Sequence, residues 1–357
     1  MKRALSVKNR LIVSAVLLLV SGAFLLGFRH VSTLLDSQRA AERWQGENET
    51  QFAQVSCFAP ADNKLTPEQI YNFRGEIVKK LNEASFDTGG EMQLFNDAWS
   101  TEGTVKVSGE RKSGEVRAIA VGGSFFDFHP IRLVSGNYIR PDDLMKDRVL
   151  LDRETSWLLF GGTDLSGLSF SINGVPFVVA GVIEREDDKF SEQAYTGGMG
   201  IYMSYDAYAA ITENAGISCY ELVMAEPVKH FVLNFAKEKF PIGQGEIVDN
   251  SYRYDTDRML KLGREGMSRS MQTGSAVYPY WENAARGTED RCAAFLTAAV
   301  SFAVLPAVLL LIMAVQYIIK GKTGLEEELI PKAKESIEES IRIRARRRWE
   351  KKHPNMK

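Results

Sequence analysis

The sequence is poor in the residues that metal and nucleophilic chemistry draw on. Its 357 residues include three cysteines and four histidines. His30, His129, His230 and His353 are scattered, with no His-Glu-x-x-His run and no Cys/His spacing of a zinc site. No serine stands in a Gly-x-Ser-x-Gly elbow, and Ser124, in Gly122-Gly123-Ser124, reads as a turn or helix cap. A phosphate loop of the form G-x-x-x-x-G-K-[ST] is missing, so ATP cannot be used by that route. Gly321-Lys322-Thr323 matches only the end of that motif. The acidic pairs Asp142-Asp143 and Asp187-Asp188 lack the alternating carboxylates and glycine of a calcium loop and read as solvated turns. Lys and Arg number 44 against 46 Asp and Glu, a net charge of -2, which gives a nucleic-acid role no support. No catalytic residue, metal or cofactor is therefore expected, and no enzyme.

What the sequence does have is two long uncharged runs. Leu11 to Phe28 is about long enough to cross a bilayer, and Ala293 to Ile319 is longer. The first follows Lys2, Arg3, Lys8 and Arg10. Arg29-His30-Val31 is not a small-x-small cleavage site, so the run reads as an anchor rather than a signal peptide. Basic residues crowd before the first run and after the second, in Lys320, Lys322 and the segment Arg342 to Lys352. The positive-inside rule puts both ends in the cytoplasm of a cell membrane and the middle outside. The expected organisation is a cytoplasmic N-terminus (1–10), a first span (11–28), a stalk helix (29–50) and an extracytoplasmic core (51–253). A second stalk (254–292), a second span (293–319) and a basic amphipathic tail (320–357) complete it. Pro279 and Gly287 are expected to break the second stalk.

Within the core, strands and helices alternate, which predicts an α+β class with mixed sheets. Gln51 to Phe58 reads as a strand. Thr66-Pro67-Glu68-Gln69 is a capped helix start, and Ile70, Phe73, Ile77 and Leu81 form its buried stripe. Met92 to Trp99, Thr104 to Ser108, Val116 to Val121 and Arg148 to Asp152 read as strands. Glu154 to Phe160 is a short helix stopped by Gly161-Gly162. Leu168 to Ile172 and Phe177 to Ile183 flank Asn173-Gly174, a tight hairpin. Further on come a strand at Gly200 to Met203, helices at Tyr205 to Ile211 and Val228 to Phe240, and strands at Ser218 to Ala225 and Glu246 to Asp249. Cys57 and Cys219 lie in strand-like runs. Either they pair in an oxidising space or they stay two buried thiols. Phe125, Phe126, Phe128, Tyr138, Trp157 and Phe160 are expected in the core.

The run F-G-G-x-D-x-x-G-x-x-x-x-I-N-G-x-x-F-x-V-x-G-V, from Phe160 to Val182, resembles the extracytoplasmic core of MacB-type ABC transporter permeases, the FtsX-like superfamily. The upstream S-F-F-D-F and L-V-S-G-N-Y-I segments are similar to the same family, and the resemblance extends from about Arg117 to Glu186. It implies a two-lobed domain, with an inserted lobe within about Glu91 to Gly123. It also implies a lever mechanism, in which a cytoplasmic ATPase moves the membrane helices and the stalks move the outer domain. Family members have four spans. Two are present here, so the resemblance implies a two-span variant without the last two membrane helices.

The implied role is a non-catalytic membrane subunit of a MacB-like ABC transporter assembly, working in export or envelope mechanotransmission. Its partners would be a cytoplasmic ABC ATPase subunit and either a full-length permease or a second copy of the chain. The alternative is a membrane-anchored interaction or sensor module without transport. Two stretches are candidate contact sites. Tyr195, Thr196, Gly197, Gly198, Met199 and Gly200 form a glycine-rich loop able to meet a ligand or partner. In the tail, Ile337, Ile341 and Trp349 recur at four-residue multiples beside Arg344, Arg346, Arg347 and Arg348. Such a helix lies on anionic lipid, docks an ATPase, or is simply solvated.

Overall fold

Alternation of β-branched and small or polar residues from Phe95 to Gly123 builds the centre of the molecule. The computed structural model describes residues 7–86, 93–194, 199–213, 215–271, 276–324 and 329–352. They form two compact units, Leu26–Thr297 and a membrane unit made of Met1–Leu25 with Ala298–Lys357. In chain order the helices and strands are α1 (Val7–Ser32), α2 (Ala40–Gln45), β1 (Phe52–Phe58), α3 (Pro67–Glu83), β2 (Phe95–Ser108) and β3 (Ser113–Gly123). Next come α4 (Phe125–Phe128), β4 (Leu133–Gly136), β5 (Arg148–Asp152), α5 (Arg153–Leu159), β6 (Ser169–Ile172) and β7 (Val175–Ile183). Then follow α6 (Lys189–Ala194), β8 (Gly200–Ser204), α7 (Tyr205–Ile211), β9 (Cys219–Ala225) and α8 (Phe231–Lys239). Last are β10 (Glu246–Asp249), α9 (Thr256–Arg264), α10 (Tyr280–Gly324) and α11 (Ile330–Lys352).

One ten-stranded mixed sheet runs through the larger unit, in the order β10-β1-β9-β2-β3-β8-β5-β7-β4, with β6 paired to β2 and β7. Thus the fold is α+β with a mixed sheet, as the alternation of elements predicts. The Asn173-Gly174 turn closes β6 on β7, with φ of 49° and 82° at its two central residues, as an Asn-Gly hairpin requires. The Thr66 capping box is present: its hydroxyl accepts from the Gln69 N–H, and the Gln69 side chain accepts from the Thr66 N–H. Ile70, Phe73, Ile77 and Leu81 are buried, each contributing roughly 1.5–3 kcal/mol by area removed from water.

The register gives the sheet two unlike faces. Cys57 lies opposite Tyr220, and Ser56 opposite Glu221. Side chains alternate along a strand, so Cys57 and Tyr220 share one face while Ser56, Cys219 and Glu221 share the other. The first face is apolar under α3 and α8, where Phe73 packs against Tyr220, Phe235 and Phe240. The second is buried but polar. Gln54, Ser56, Ser100 and Glu221 are all 2% exposed or less.

Several expectations need correction. Residues 91–123 contain no inserted lobe in their described part. Met92 to Trp99 and Thr104 to Ser108 belong to a single long strand, β2, and the β2–β3 hairpin occupies the middle of the sheet. No stalk helix runs through 29–50. Helix α1 ends at Ser32, a 3-10 turn spans Asp36–Gln38, and α2 lays Ala40 and Ala41 against the core. In the second stalk region, α9 packs as a separate short helix, and Pro279 lies just before the N-terminus of α10. Gly287 does not interrupt that helix, because its carbonyl and N–H still fit the ladder and only the side chain is missing. Trp157 is 55% exposed on α5 rather than in the core, whereas Phe125 and Phe128 are buried.

In the membrane unit, the Ser21 hydroxyl on α1 donates to the Ala299 carbonyl on α10 at 2.8 Å, and Phe24 stacks on Phe302. Helices Val7–Ser32 and Tyr280–Lys320 are each long and apolar enough to cross a membrane. Helix α11 is exposed along its described side chains.

Cys57 and Cys219 are free thiols. They project from opposite faces of the sheet, so a disulfide cannot form without moving the backbone. Burial pushes both thiols well above their ordinary pKa, which keeps them from reacting as thiolates at neutral pH. In the full chain carrying Cys292→Ser, mild oxidation is expected to leave both thiols free, and a maleimide mass tag to label them only after denaturation. A Cys57–Cys219 band on a non-reducing gel of native protein would contradict this register.

Candidate functional site: a buried ionic joint

Glu282, Arg286 and Glu289 fall at i, i+4 and i+7 at the head of α10, which places them on one stripe of the helix. Small residues, Ala284, Ala285 and Thr288, lie between them and are buried. The helix head can thus approach the sheet closely, and it does so through charge.

At the centre is Arg253, in the turn between β10 and α9, with its side chain fully buried. Its Nη2 donates to Glu282 Oε1 at 2.5 Å, its Nε to Glu289 Oε1 at 3.3 Å and its Nη1 to Gln38 Oε1 at 2.5 Å. Gln38 also accepts from Asn250 Nδ2 at 2.8 Å. One guanidinium therefore ties together the connector after α1, the end of β10 and the head of α10. Burial works against its charge, and the Glu282 and Glu289 carboxylates outweigh that and raise its pKa.

The network extends outward. Glu289 accepts from Arg258 on α9 at 2.7 Å and from Arg269 at 3.1 Å. Arg269 also pairs with Glu246 at the start of β10. Glu246 accepts from the Tyr278 hydroxyl at 2.5 Å and lies 3.5 Å from Arg286. The Arg286 guanidinium rests 4.0 Å from the Tyr278 ring centroid. Burial alone would raise the Glu246 carboxyl, but Tyr278, Arg269 and Arg286 bring it below its ordinary value. Asp290 accepts from the backbone N–H groups of Arg269 and Ser270, both at 2.8 Å.

A second polar contact lies on the polar face of the sheet, next to Trp281 in the first turn of the helix. His129 Nε2 and Glu221 Oε2 are 2.5 Å apart, and Ser56 Oγ donates to Glu221 at 3.2 Å. The His129 ring lies between Phe125 and Trp281, 4.4 and 4.5 Å from their centroids. Beside Trp281, the Tyr280 hydroxyl meets Tyr202 at 3.1 Å and Glu186 at 2.8 Å. Burial raises the Glu186 carboxyl. A cavity of about 300 Å³ opens here, bounded by Leu35, His129, Glu186 and Trp281 among others.

The His129 and Glu221 side chains are 1% and 2% exposed. Among the described residues no group of three or more His, Cys, Asp or Glu is placed to hold a metal ion.

The stretches singled out from sequence lie elsewhere. Of the glycine-rich loop, Tyr195, Thr196, Gly197 and Gly198 fall outside the described residues. Met199 packs against the core, and Gly200 is buried in β8, where its N–H donates to Asp152 Oδ2 at 2.6 Å. Gly200 is thus part of the sheet, not of a contact loop. The tail residues Ile337, Ile341, Arg344, Arg346, Arg347, Arg348 and Trp349 are all on α11 and exposed, with Arg346 paired to Glu350 at 3.2 Å. Sequence reading missed the joint. Its one local trace is the charged i, i+4, i+7 stripe before the second apolar run. His129, one of the scattered histidines, is a buried partner of Glu221.

Removing one member of a buried charge cluster strands the others, at a cost of about 3–5 kcal/mol. Arg253→Met in the full chain is expected to lower thermal stability sharply. Adding Glu282→Leu and Glu289→Leu to it is expected to restore part of the loss, because a matched apolar set removes the stranded charges. An unchanged melting temperature in the single variant would show that the cluster bears no structural weight.

No protein-family model matches the chain, and no curated protein matches it. Solved structures do. The extracellular domain of the noncanonic ABC-type transporter YknZ from Gram-positive bacteria is similar at 13% identity and a TM-score of 0.38, covering 56% of this chain and 99% of that one. The periplasmic region of MacB from Actinobacillus actinomycetemcomitans is similar at 14% identity and a TM-score of 0.39, covering 62% and 94%. A domain of a putative permease protein from Porphyromonas gingivalis is similar at 15% identity and a TM-score of 0.32, covering 55% and 88%.

Proposed function

We propose that the chain is a non-catalytic membrane subunit of a MacB-like ABC transporter assembly, passing movement between a cytoplasmic ATPase and an extracytoplasmic domain. The observation that carries this reading is α10. It is one helix of 45 residues that begins inside the ionic joint and continues through the second apolar run. In this reading the helix carries movement between the membrane and its ion-paired head, with Pro306, which removes one hydrogen bond from the ladder, as a point where it can bend. Ion pairs and hydrogen bonds re-form with water when parted, so such a head can shift at lower cost than an apolar core.

The basic residues near both ends favour an inside location for the N-terminus and for α11. In this reading α11 meets the ATPase or the anionic inner leaflet. The remaining partner is a full-length permease or a second copy of the chain. A sensor or interaction module without transport would keep the same central domain but would not need α11.

Affinity purification of the full chain from native membranes in mild detergent is expected to recover an ATPase subunit. Deleting Thr323 to Lys357 is expected to abolish that recovery while leaving the proteolytic pattern of the central domain unchanged. Protease added to intact cells is expected to cut the central domain and spare the Arg-rich end. Recovery of neither an ATPase nor a second permease, or the reverse pattern of protection, would overturn the proposal.

A further inference from the structure

On the apolar face of the sheet, away from the joint, Arg74 is fixed in an unusual way. Its Nε and Nη2 donate to the two carboxylate oxygens of Asp97 at 2.8 and 2.7 Å. Asp97 is buried and is itself held by the Tyr220 hydroxyl at 3.0 Å. The guanidinium carbon lies 5.0 Å from the Trp99 ring centroid and 5.5 Å from that of Tyr71. A bidentate fork and two ring faces leave this group almost no freedom. Its Nη1 makes no hydrogen bond among the described residues.

Arg74 borders a cavity of about 220 Å³ with Tyr71, Trp99, Phe126 and Tyr205 on its walls, and its charged lining is three cations, Arg74, Arg140 and Lys146, against one carboxylate, Asp206. The Trp99 indole lies flat across Gly122, where an added Cβ would come within 2.2 Å of the ring. That contact fixes the aromatic floor. Lys146 Nζ is within 3.0 Å of the Pro141 carbonyl, which holds it near the edge. Arg140 shares an exposed pair with Asp142 at 3.4 Å, and such pairs yield readily to a competing carboxylate. Between Pro141 and Lys146, Leu144 is 96% exposed and Met145 65%, and across the cavity Tyr71 is 59% exposed. Leu144 and Met145 are consecutive in the loop between two of the cavity's lining residues, Pro141 and Lys146.

We propose that this cavity and its apolar edge dock an acidic segment of a partner polypeptide. A carboxylate side chain of the partner meets Arg74 Nη1 between Arg140 and Lys146, and a neighbouring aromatic or aliphatic side chain rests on Trp99. The cavity has room for about one side chain, below the size of an ordinary small-molecule pocket. The apolar surface extends past its mouth, as a continuing peptide chain requires. A free anion would use the cations and ignore Leu144 and Met145.

The test uses the full chain in detergent and two fluorescent peptides, Leu-Asp-Phe-Glu-Leu with blocked ends and its carboxamide counterpart with Asn and Gln. The acidic peptide is expected to bind below about 1 mM, and the carboxamide at least about tenfold more weakly. Arg140→Glu with Lys146→Glu leaves the Arg74–Asp97 pair alone. It is expected to weaken the acidic peptide by about tenfold or more and to spare the carboxamide. Leu144→Ser with Met145→Ser is expected to weaken both peptides several-fold. Equal binding of the two peptides, indifference to charge reversal, or no binding of the acidic peptide at about 1 mM overturns the proposal. Competition by sodium acetate as effective as the unlabelled peptide also overturns it, in favour of a plain anion site.

Discussion

A guanidinium cannot lose its charge at any working pH, so a fully buried arginine dictates its surroundings. Arg253 is such a group. Its nitrogens must find acceptors inside the protein, and each has one: Gln38, Glu282 and Glu289. Those acceptors come from the connector after α1 and the head of α10, far apart in sequence. The position of each segment is fixed by the need to satisfy the same cation. Arg258, Arg269, Arg286 and Glu246 then neutralise what the central set leaves over. A cluster of this kind adds little net stability compared with apolar packing. What it specifies is one arrangement of the helix head on the sheet.

The two faces of the sheet divide the labour. Under α3 and α8 the contact is aromatic and aliphatic, and parting it would expose apolar surface to water. On the opposite face the buried side chains include Gln54, Ser56, Ser100 and Glu221, and Gln54 is held by the Ala40 N–H and the Ser37 carbonyl. The apolar face carries Arg74 and Trp99, whose mutual packing forms one wall of the surface cavity.

Much of the element order was legible in one dimension. The Thr66 cap, the Ile70 to Leu81 stripe, the Asn173-Gly174 hairpin and the strand at Arg148 to Asp152 follow from contacts within a few residues, and local sequence encodes those. The stalks were misread for the opposite reason. Arg29 to Asn48 has good helix formers and a partial apolar stripe, but Gln38 is drawn to Arg253 and Asn250, and Ala40 and Ala41 to the core. Tertiary contacts overrode propensity there. The Tyr195–Gly200 stretch shows a subtler limit, since glycines that suggest a loop also serve where backbone enters a sheet, as Gly200 does beside Asp152.

By itself the sequence determined the two apolar helices, the α+β alternation between them and the absence of a metal or nucleophile pattern, because these depend on composition and on periods of two to four residues. Only the tertiary structure decided that Cys57 and Cys219 face opposite ways, that His129 meets Glu221, and that Arg253 gathers Gln38, Glu282 and Glu289. Strand register and the pairing of distant charges arise when the chain closes on itself. Register leaves no local mark and the charge pairing only the stripe of Glu282, Arg286 and Glu289, since a buried ion pair is built from the same residue types that make an ordinary solvated surface.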